Sequence, residues 1–328
     1  MDALIEVESI SKTFFIKKCS KGFWPNFTSL LKPHYEQLQA LKDISFSIKK
    51  GEKVAFLGAN GAGKSTAIKI LTGILYPTAG QVRIMGLTPW QQRRSLSHHI
   101  GIIFGQRSQL WYNLPARDTY HLLGRMYDLS SSVFNDRLNE ITHILDLREL
   151  LDKPVRQLSL GQRMRCEMGA ALLHRPAILF LDEPTIGVDI DSKMAIRGYL
   201  NRLSSAYGTT IFLTSHDVGD IDMVCDRAII LKRGEIVIDS PIKALKQNVF
   251  TTKRVSLKTF QEHIKFSMNG VKIIENSAHN ILLEVNTKEC PIDNVVGSLL
   301  MNYSVLDISI MSPPLEEIIT SLFKHELI

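Results

Sequence analysis

Nine consecutive residues, Gly58-Ala59-Asn60-Gly61-Ala62-Gly63-Lys64-Ser65-Thr66, hold three glycines, a lysine and two hydroxyls. Their spacing is G-x-x-x-x-G-K-[ST], the P-loop pattern. Glycines let successive backbone N–H groups turn inward around anionic oxygens, and a helix opening at the lysine directs its positive end at them. Lys64 is expected to reach the β- and γ-phosphates and Ser65 to ligate Mg²⁺. Phosphate chemistry also needs carboxylates, and the run Ile178-Leu179-Phe180-Leu181-Asp182-Glu183 ends on two of them before Pro184. Asp182 is expected to hold the metal and Glu183 to activate a water. A third apolar run ends at Ser215-His216-Asp217. Carboxyl ends of parallel strands converge on one crevice, so Gly58, Asp182 and His216 can face one ligand, with His216 at a γ-phosphate.

A second turn with anion-binding character lies far downstream. In Leu158-Ser159-Leu160-Gly161-Gln162 a serine and a glycine open a helical run, RMRCEMGAALLH. Ser159 Oγ and the Gly161 N–H at a helix N-terminus would make an anion site. The same residues also read as an ordinary helix cap, and alone they favour that reading.

These groups need a scaffold. Residues 1–58 are punctuated β segments, LIEVESISKTFFI, ALKDISFSI and KVAFLG, and GKSTAIKILTG is a helix closed by Gly73. From 107 to 176 the apolar spacing is helical, as in DRLNEITHILDLRELL, while AILFLD and TTIFLTS read as buried parallel strands. Alternation of this kind implies an α/β core. AIILKRGEIVIDS reads as a hairpin turning at Arg233-Gly234. Beyond 245, VSLKTF, VKIIEN, HNILLEVNT and SVLDISIM alternate, and PPLEEIITSLF reads as a closing helix. The expected division is therefore 1–244 and an α+β accessory domain, 245–328, with residues 17–37 as an inserted connection. That connection sets Phe23, Trp24 and Phe27 among Lys17, Lys18, Lys21 and Lys32. It reads either as a loop folded over its own aromatics or as a contact with a membrane subunit or lipid headgroups.

Composition narrows the class. The 328 residues are 45% hydrophobic and 22% charged, ordinary for a globular protein. No apolar run approaches the roughly 18 residues that span a bilayer, and the acidic start MDALIEVESI does not read as a signal peptide. Cys19, Cys166, Cys225 and Cys290 form no CxxC pair, which argues against a zinc site or a disulfide framework and for a reducing cytosol. A formal charge of +6 selects no partner class.

Taken together, residues 3–240 resemble an ATP-binding cassette ATPase. Besides the P-loop and Asp182-Glu183, the resemblance includes Gln106 at the Q-loop position, Ser159-Leu160-Gly161-Gln162 at the signature position, Asp189 at the D-loop and His216 at the switch. The fold it implies is a P-loop NTPase α/β core with an antiparallel β subdomain and a helical subdomain near 107–176. It further implies ATP and Mg²⁺, the metal on Ser65, Gln106 and Asp182, and Phe14, or neighbouring Phe15, stacked on adenine. In such proteins the signature turn caps the γ-phosphate held by a second cassette facing head to tail, a homodimer or a paralogous pair. Leu160 replaces a glycine of the commonest signature, and at φ > 0 a leucine there would be strained.

Residues 64–158 leave no room for the long coiled coils of chromosome-type relatives, and each motif occurs once. No nucleic-acid partner is expected. The resemblance therefore implies a stand-alone transporter subunit of exporter type on the cytoplasmic face of the inner membrane, energising a separate permease. Leu110, Trp111, Tyr112 and Leu114 are candidate permease contacts or helix-packing core in equal measure. The alternative is a soluble regulator whose output is nucleotide-gated dimerisation.

Overall fold

Alternation sets the first strands. In β1 (Ala3–Lys17) and β2 (Tyr35–Lys49), Ile5, Val7, Ile10, Ile44, Phe46 and Ile48 are buried, with exposed residues between the last three. A pleated strand sends successive side chains to opposite faces, so one face of this pair is core. The strands run antiparallel with Val7 opposite Phe46 and Phe14 opposite Leu38. The computed structural model describes residues 3–17, 35–105, 108–215, 217–248, 252–261 and 264–311. Its two compact units are Met1–Asp239 and Ser240–Ile328.

Within the first unit β3 (Lys53–Gly58) is buried along almost its whole length and leads through the glycine turn into α1 (Lys64–Leu71). The chain continues through β4 (Ala79–Ile84), α2 (Arg93–Ser97) and β5 (Ile100–Phe104). The helical segment holds α3 (Ala116–Met126), α4 (Ser131–Ile144) and α5 (Leu160–Leu172). Then come β6 (Ile178–Asp182), α6 (Ile190–Tyr207), β7 (Thr210–Thr214), α7 (Val218–Val224), β8 (Arg227–Lys232) and β9 (Glu235–Pro241). Arg233 and Gly234, at φ 51° and 86°, make the two-residue turn between the last two strands.

Two sheets result. One is antiparallel, β2-β1-β4, and the other has the order β5-β6-β7-β3-β8-β9, its first five strands paired in parallel. They share a core in which Phe46 of the first sheet meets Phe56 at 5.8 Å between ring centroids, and Phe56 meets Phe212 at 5.0 Å. The parallel order brings the ends of β3, β6 and β7, hence Gly58, Asp182 and Ser215, to one edge. DRLNEITHILDLRELL is not one helix: α4 stops at Ile144, and Asp146 adopts a left-handed φ of 50°. Leu147, Leu150 and Leu151 are still buried, from turns rather than from helix.

The second unit contains α8 (Ile242–Asn248), β10 (Thr252–Thr259), β11 (Val271–Ser277), β12 (Asn280–Asn286), α9 (Ile292–Asn302) and β13 (Val305–Met311). Its antiparallel sheet has the order β11-β12-β10-β13, and Val255, Leu257, Leu283 and Val285 form its core with Val295 and Leu299 of α9. The four strands match the alternating segments of the sequence, and α9 does not follow from them. The expected closing helix at 313–323 and residues 18–34 of the inserted connection lie outside the described residues. Among the described residues no helix is long and apolar enough to cross a membrane.

Candidate nucleotide site

The phosphate turn works through its glycines. Gly61 and Gly63 have φ of 81° and 110°, left-handed backbone that side-chain-bearing residues rarely adopt. A Cβ on Gly63 would also lie 2.4 Å from Ala40 O, so both conformation and space demand glycine there. Lys64 is buried, and its Nζ donates to Gly58 O at 2.6 Å and Ala59 O at 3.3 Å. Burial pushes its pKa below the ordinary lysine value, against the opposing pull of Glu183 and Asp182.

The carboxylates arrive on β6. Thr214, at the end of neighbouring β7, donates its hydroxyl to Asp182 Oδ1 at 2.7 Å, and its carbonyl accepts from the Glu183 N–H at 3.0 Å. Asp182 Oδ2 makes no hydrogen bond among the described residues, so one oxygen is fixed by threonine and the other is available to a metal. One such carboxylate, a serine hydroxyl and waters suit Mg²⁺, which keeps much of its hydration shell. Glu183 has φ 57°, an uncommon conformation for a non-glycine residue and one that turns the chain sharply off the strand. Gly105 donates to Asp182 O at 2.7 Å, and a Cβ on it would fall 2.5 Å from Glu183 O. This contact delivers the chain entering position 106 directly against the two acids. Gln106 and His216 themselves lie outside the described residues, between the placed Gly105 and Ser108 and between Ser215 and Asp217.

A cavity of about 630 Å³ joins these parts. Asn60, Gly61, Gly63, Lys64, Ser65 and Thr66 line it together with Asp182, Glu183 and, from β1, Phe14. Phe14 is half-buried with Lys12 Nζ 5.1 Å from its ring centroid, whereas Phe15 is 62% exposed and outside the cavity wall. Of the two aromatic candidates, the structure brings Phe14 to the phosphate turn. Gly58, Ala59 and Ala62 complete the turn. Ala59 is on the wall, while Gly58 and Ala62 are packed behind it, where a Cβ on Gly58 would sit 2.9 Å from Ala62 Cβ.

The signature turn lies elsewhere. Ser159 Oγ accepts from Gln162 N at 3.2 Å and Gln162 Oε1 accepts from Ser159 N at 3.0 Å, a reciprocal cap on α5. Leu160 begins that helix in right-handed conformation, so the feared strain is absent. Gly161 packs on the D-loop turn, since a Cβ there would lie 2.5 Å from Asp189 Oδ2, and Asp189 in turn caps α6 through Ser192 N at 2.8 Å. None of Ser159, Gly161, Gln162 or Asp189 lines the 630 Å³ cavity. Leu110 is buried, while Trp111, Tyr112 and Leu114 are exposed.

Glu167 on α5 carries no signal in the sequence, being a lone acid among apolar helix residues. In the structure it is buried, accepts from Ser108 Oγ, and takes the Gln109 N–H at 3.2 Å. It therefore ties the signature helix to the segment that follows Gln106. Burial holds its carboxyl above the ordinary value of 4.5, only partly offset by the Ser108, Gln109 and Leu110 contacts. The folded chain then keeps a proton where the unfolded chain has released it. The contribution of Glu167 to stability is greatest below about pH 4.5 and declines as pH rises through the raised value. Glu167→Gln is expected to abolish that decline, so its Tm should climb relative to wild type between pH 4.5 and 7 in calorimetric scans; a constant difference would count against the assignment.

A P-loop, a carboxylate pair at the same end of β6, two strands away in the same parallel sheet, and an aromatic lining the same cavity define a nucleotide-binding P-loop ATPase. The ABC transporter family matches residues 41–186. The chain is 30% identical over 220 residues to the bacitracin transport ATP-binding protein BcrA of Bacillus licheniformis, covering 67% of this chain and 71% of that protein. It is 28% identical over 300 residues to the linearmycin resistance ATP-binding protein LnrL of Bacillus subtilis, 89% of this chain and 96% of that one. Among solved structures, the ATP-binding cassette MJ0796, described as a dimer in a post-hydrolysis state bound to ADP and Pi, superposes with a TM-score of 0.61 at 26% identity, covering 73% of this chain and 98% of that chain. The protein belongs to the ABC transporter ATP-binding family and is an ATPase.

Proposed function

We propose that two copies of this chain pair head to tail around two ATP molecules and that the cycle drives a separate membrane-spanning permease, in the direction of export. The observation that carries the pairing is the separation of the two phosphate turns. The cavity at Lys64 holds the P-loop and both acids but no signature residue, so Ser159 and Gly161 are left to serve a facing copy. The dimeric MJ0796 structure and the family name support pairing and a transport partner. The names of BcrA and LnrL, bacitracin transport and linearmycin resistance, support export. This chain lies peripherally on the cytoplasmic face of the inner membrane, against the permease that spans it, a placement compatible with the lack of a membrane-length helix among the described residues.

In this reading the P-loop N–H groups and Lys64 hold the phosphates, Phe14 stacks on adenine, and Glu183 accepts the proton of the attacking water. Ser65, Asp182 and Gln106 hold Mg²⁺, which neutralises phosphate charge when bound. His216 contacts the γ-phosphate, Asp189 borders the paired site, and Gln106 links it to the permease. Exposed Trp111, Tyr112 and Leu114 supply contact surface for that partner.

Complementation tests the pairing. Lys64→Ala and Ser159→Arg should each be inactive alone. An equal mixture should recover up to about a quarter of wild-type turnover, because half of the dimers are mixed and each retains one intact site. Failure of the mixture to exceed either variant, with both folded, would sink the composite site.

A further inference from the structure

The first unit has a second cavity, of about 290 Å³, at the opposite end of the parallel strands from the phosphate turn. It is walled by the residues just before β6 and β7, Ala177 and Thr209, and by side chains from α4, α5 and α6. Ile141, Leu172 and Leu203 give it an apolar floor. Around them stand three cations, Lys50, Arg137 and Arg175, against a single carboxylate, Glu140.

That carboxylate is already committed. Glu140 accepts from Arg175 at 2.6 Å and from the Tyr207 hydroxyl, and the Arg175 guanidinium also lies over the Tyr207 ring at 5.1 Å. Arg137 makes one hydrogen bond, from Nη1 to Leu173 O at 3.2 Å, and Lys50 makes none among the described residues. Burial and the neighbouring Arg175 push the Arg137 pKa down against the opposing pull of Glu140. Tyr199 is 4% exposed, lines the cavity, and has no hydrogen-bond partner for its hydroxyl among the described residues. A guanidinium with one hydrogen bond, an ammonium and a hydroxyl with no partner among the described residues line one cavity over an apolar floor, a lining that matches an anionic head on an apolar body.

We propose that this cavity is a second ligand site, separate from the nucleotide site, that takes a small amphiphilic carboxylate with an aromatic or short aliphatic body. The carboxylate sits between Arg137, Lys50 and the Tyr199 hydroxyl, and the apolar body lies on Ile141, Leu172 and Leu203.

The test uses the full chain, with 4-phenylbenzoate and octanoate as probes and the uncharged 4-phenylbenzyl alcohol as control, followed by calorimetric titration and ligand-observed NMR in saturating ADP. The proposal expects saturable binding of at least one carboxylate, unaffected by ADP, and at least tenfold weaker binding of the alcohol. Arg137→Gln should weaken the carboxylate about tenfold, the loss that follows removal of one charge-assisted hydrogen bond. Because Arg137 also braces Leu173 O, Tyr199→Phe and Lys50→Gln serve as milder variants. Each should weaken binding severalfold with turnover and Tm unchanged. No saturable binding, displacement by ADP, equal binding of the alcohol, or affinity indifferent to all three substitutions would each overturn the assignment.

Discussion

Glu183→Gln is expected to lower ATP turnover by about 10²–10⁴-fold, the usual worth of a positioned general base, while nucleotide binding is retained. The substitution preserves size and removes the negative charge and with it the ability to accept a proton. Nothing about the backbone forbids it, because the left-handed φ of 57° at position 183 is already borne by a residue of the same shape. The main-chain contacts at this turn, from the Glu183 N–H to Thr214 O and from Gly105 N to Asp182 O, are left intact by a side-chain change. With ATP bound and uncleaved, the paired state should accumulate. In Mg-ATP the variant should elute from size exclusion as a dimer while wild type reverts to monomer on turnover. Lys64→Ala provides the contrast, since it should lose affinity for nucleotide and not pair with itself. A Glu183→Gln preparation with turnover within tenfold of wild type would remove Glu183 from the chemistry.

The two halves of the site were not equally legible. Gly58 to Thr66 could be read because a phosphate turn is dictated by backbone conformation, and positive φ at Gly61 and Gly63 leaves little choice of residue. Asp182 and Glu183 could be read because they interrupt an apolar strand at the end where the phosphate turn also lies. Glu167 could not, because a single acid on a helix face gives no hint of the loop that will fold across it. The same limit hid the α4, α5 and α6 cavity, whose Arg137, Arg175 and Tyr199 come from separate stretches with no spacing to join them. The end of α4 was missed for a local reason, since Asp146 sits in an apolar pattern that stays helical in period while its backbone turns left-handed. Helix α9 hides its pattern behind Val295, Val296 and Gly297, residues that favour helix weakly. Conversely, Leu160 left the backbone conformation open in the sequence, and the structure closes the question, because the turn itself ends at Ser159 and the leucine is already helical.

Arg197→Met should cost about 3–5 kcal/mol of stability, the penalty for stripping the cation from a buried ion pair, and lower Tm by roughly 10 °C. No sequence pattern marks this arginine, which lies in the middle of α6. Its Nε meets Asp220 Oδ1 at 2.7 Å and its Nη2 meets Asp217 Oδ1 at 3.0 Å, with Asp220 2% exposed. Asp220 Oδ2 takes hydrogen bonds from Ser215 Oγ at 2.9 Å and from the Thr185 hydroxyl. One buried carboxylate thus binds the segment leaving Glu183 to the segment entering His216, and Arg197 neutralises it. Lys193, one turn earlier on α6, grips the other oxygen of Asp217 at 2.6 Å. Methionine keeps the apolar stem of arginine and loses its guanidinium, so the loss falls mainly on the charge and its hydrogen bonds rather than on packing of the stem. Lysine should rescue only part, because one ammonium cannot reach both carboxylates with a planar fork. The catalytic signature should be a fall in kcat with KM for ATP nearly unchanged, since the P-loop is untouched and only the segments bearing Glu183 and His216 loosen. Thermal unfolding and steady-state kinetics on the same preparations decide it: a Tm within two degrees of wild type would show that Asp220 tolerates solitude, and equal losses in kcat and affinity would point to general unfolding instead.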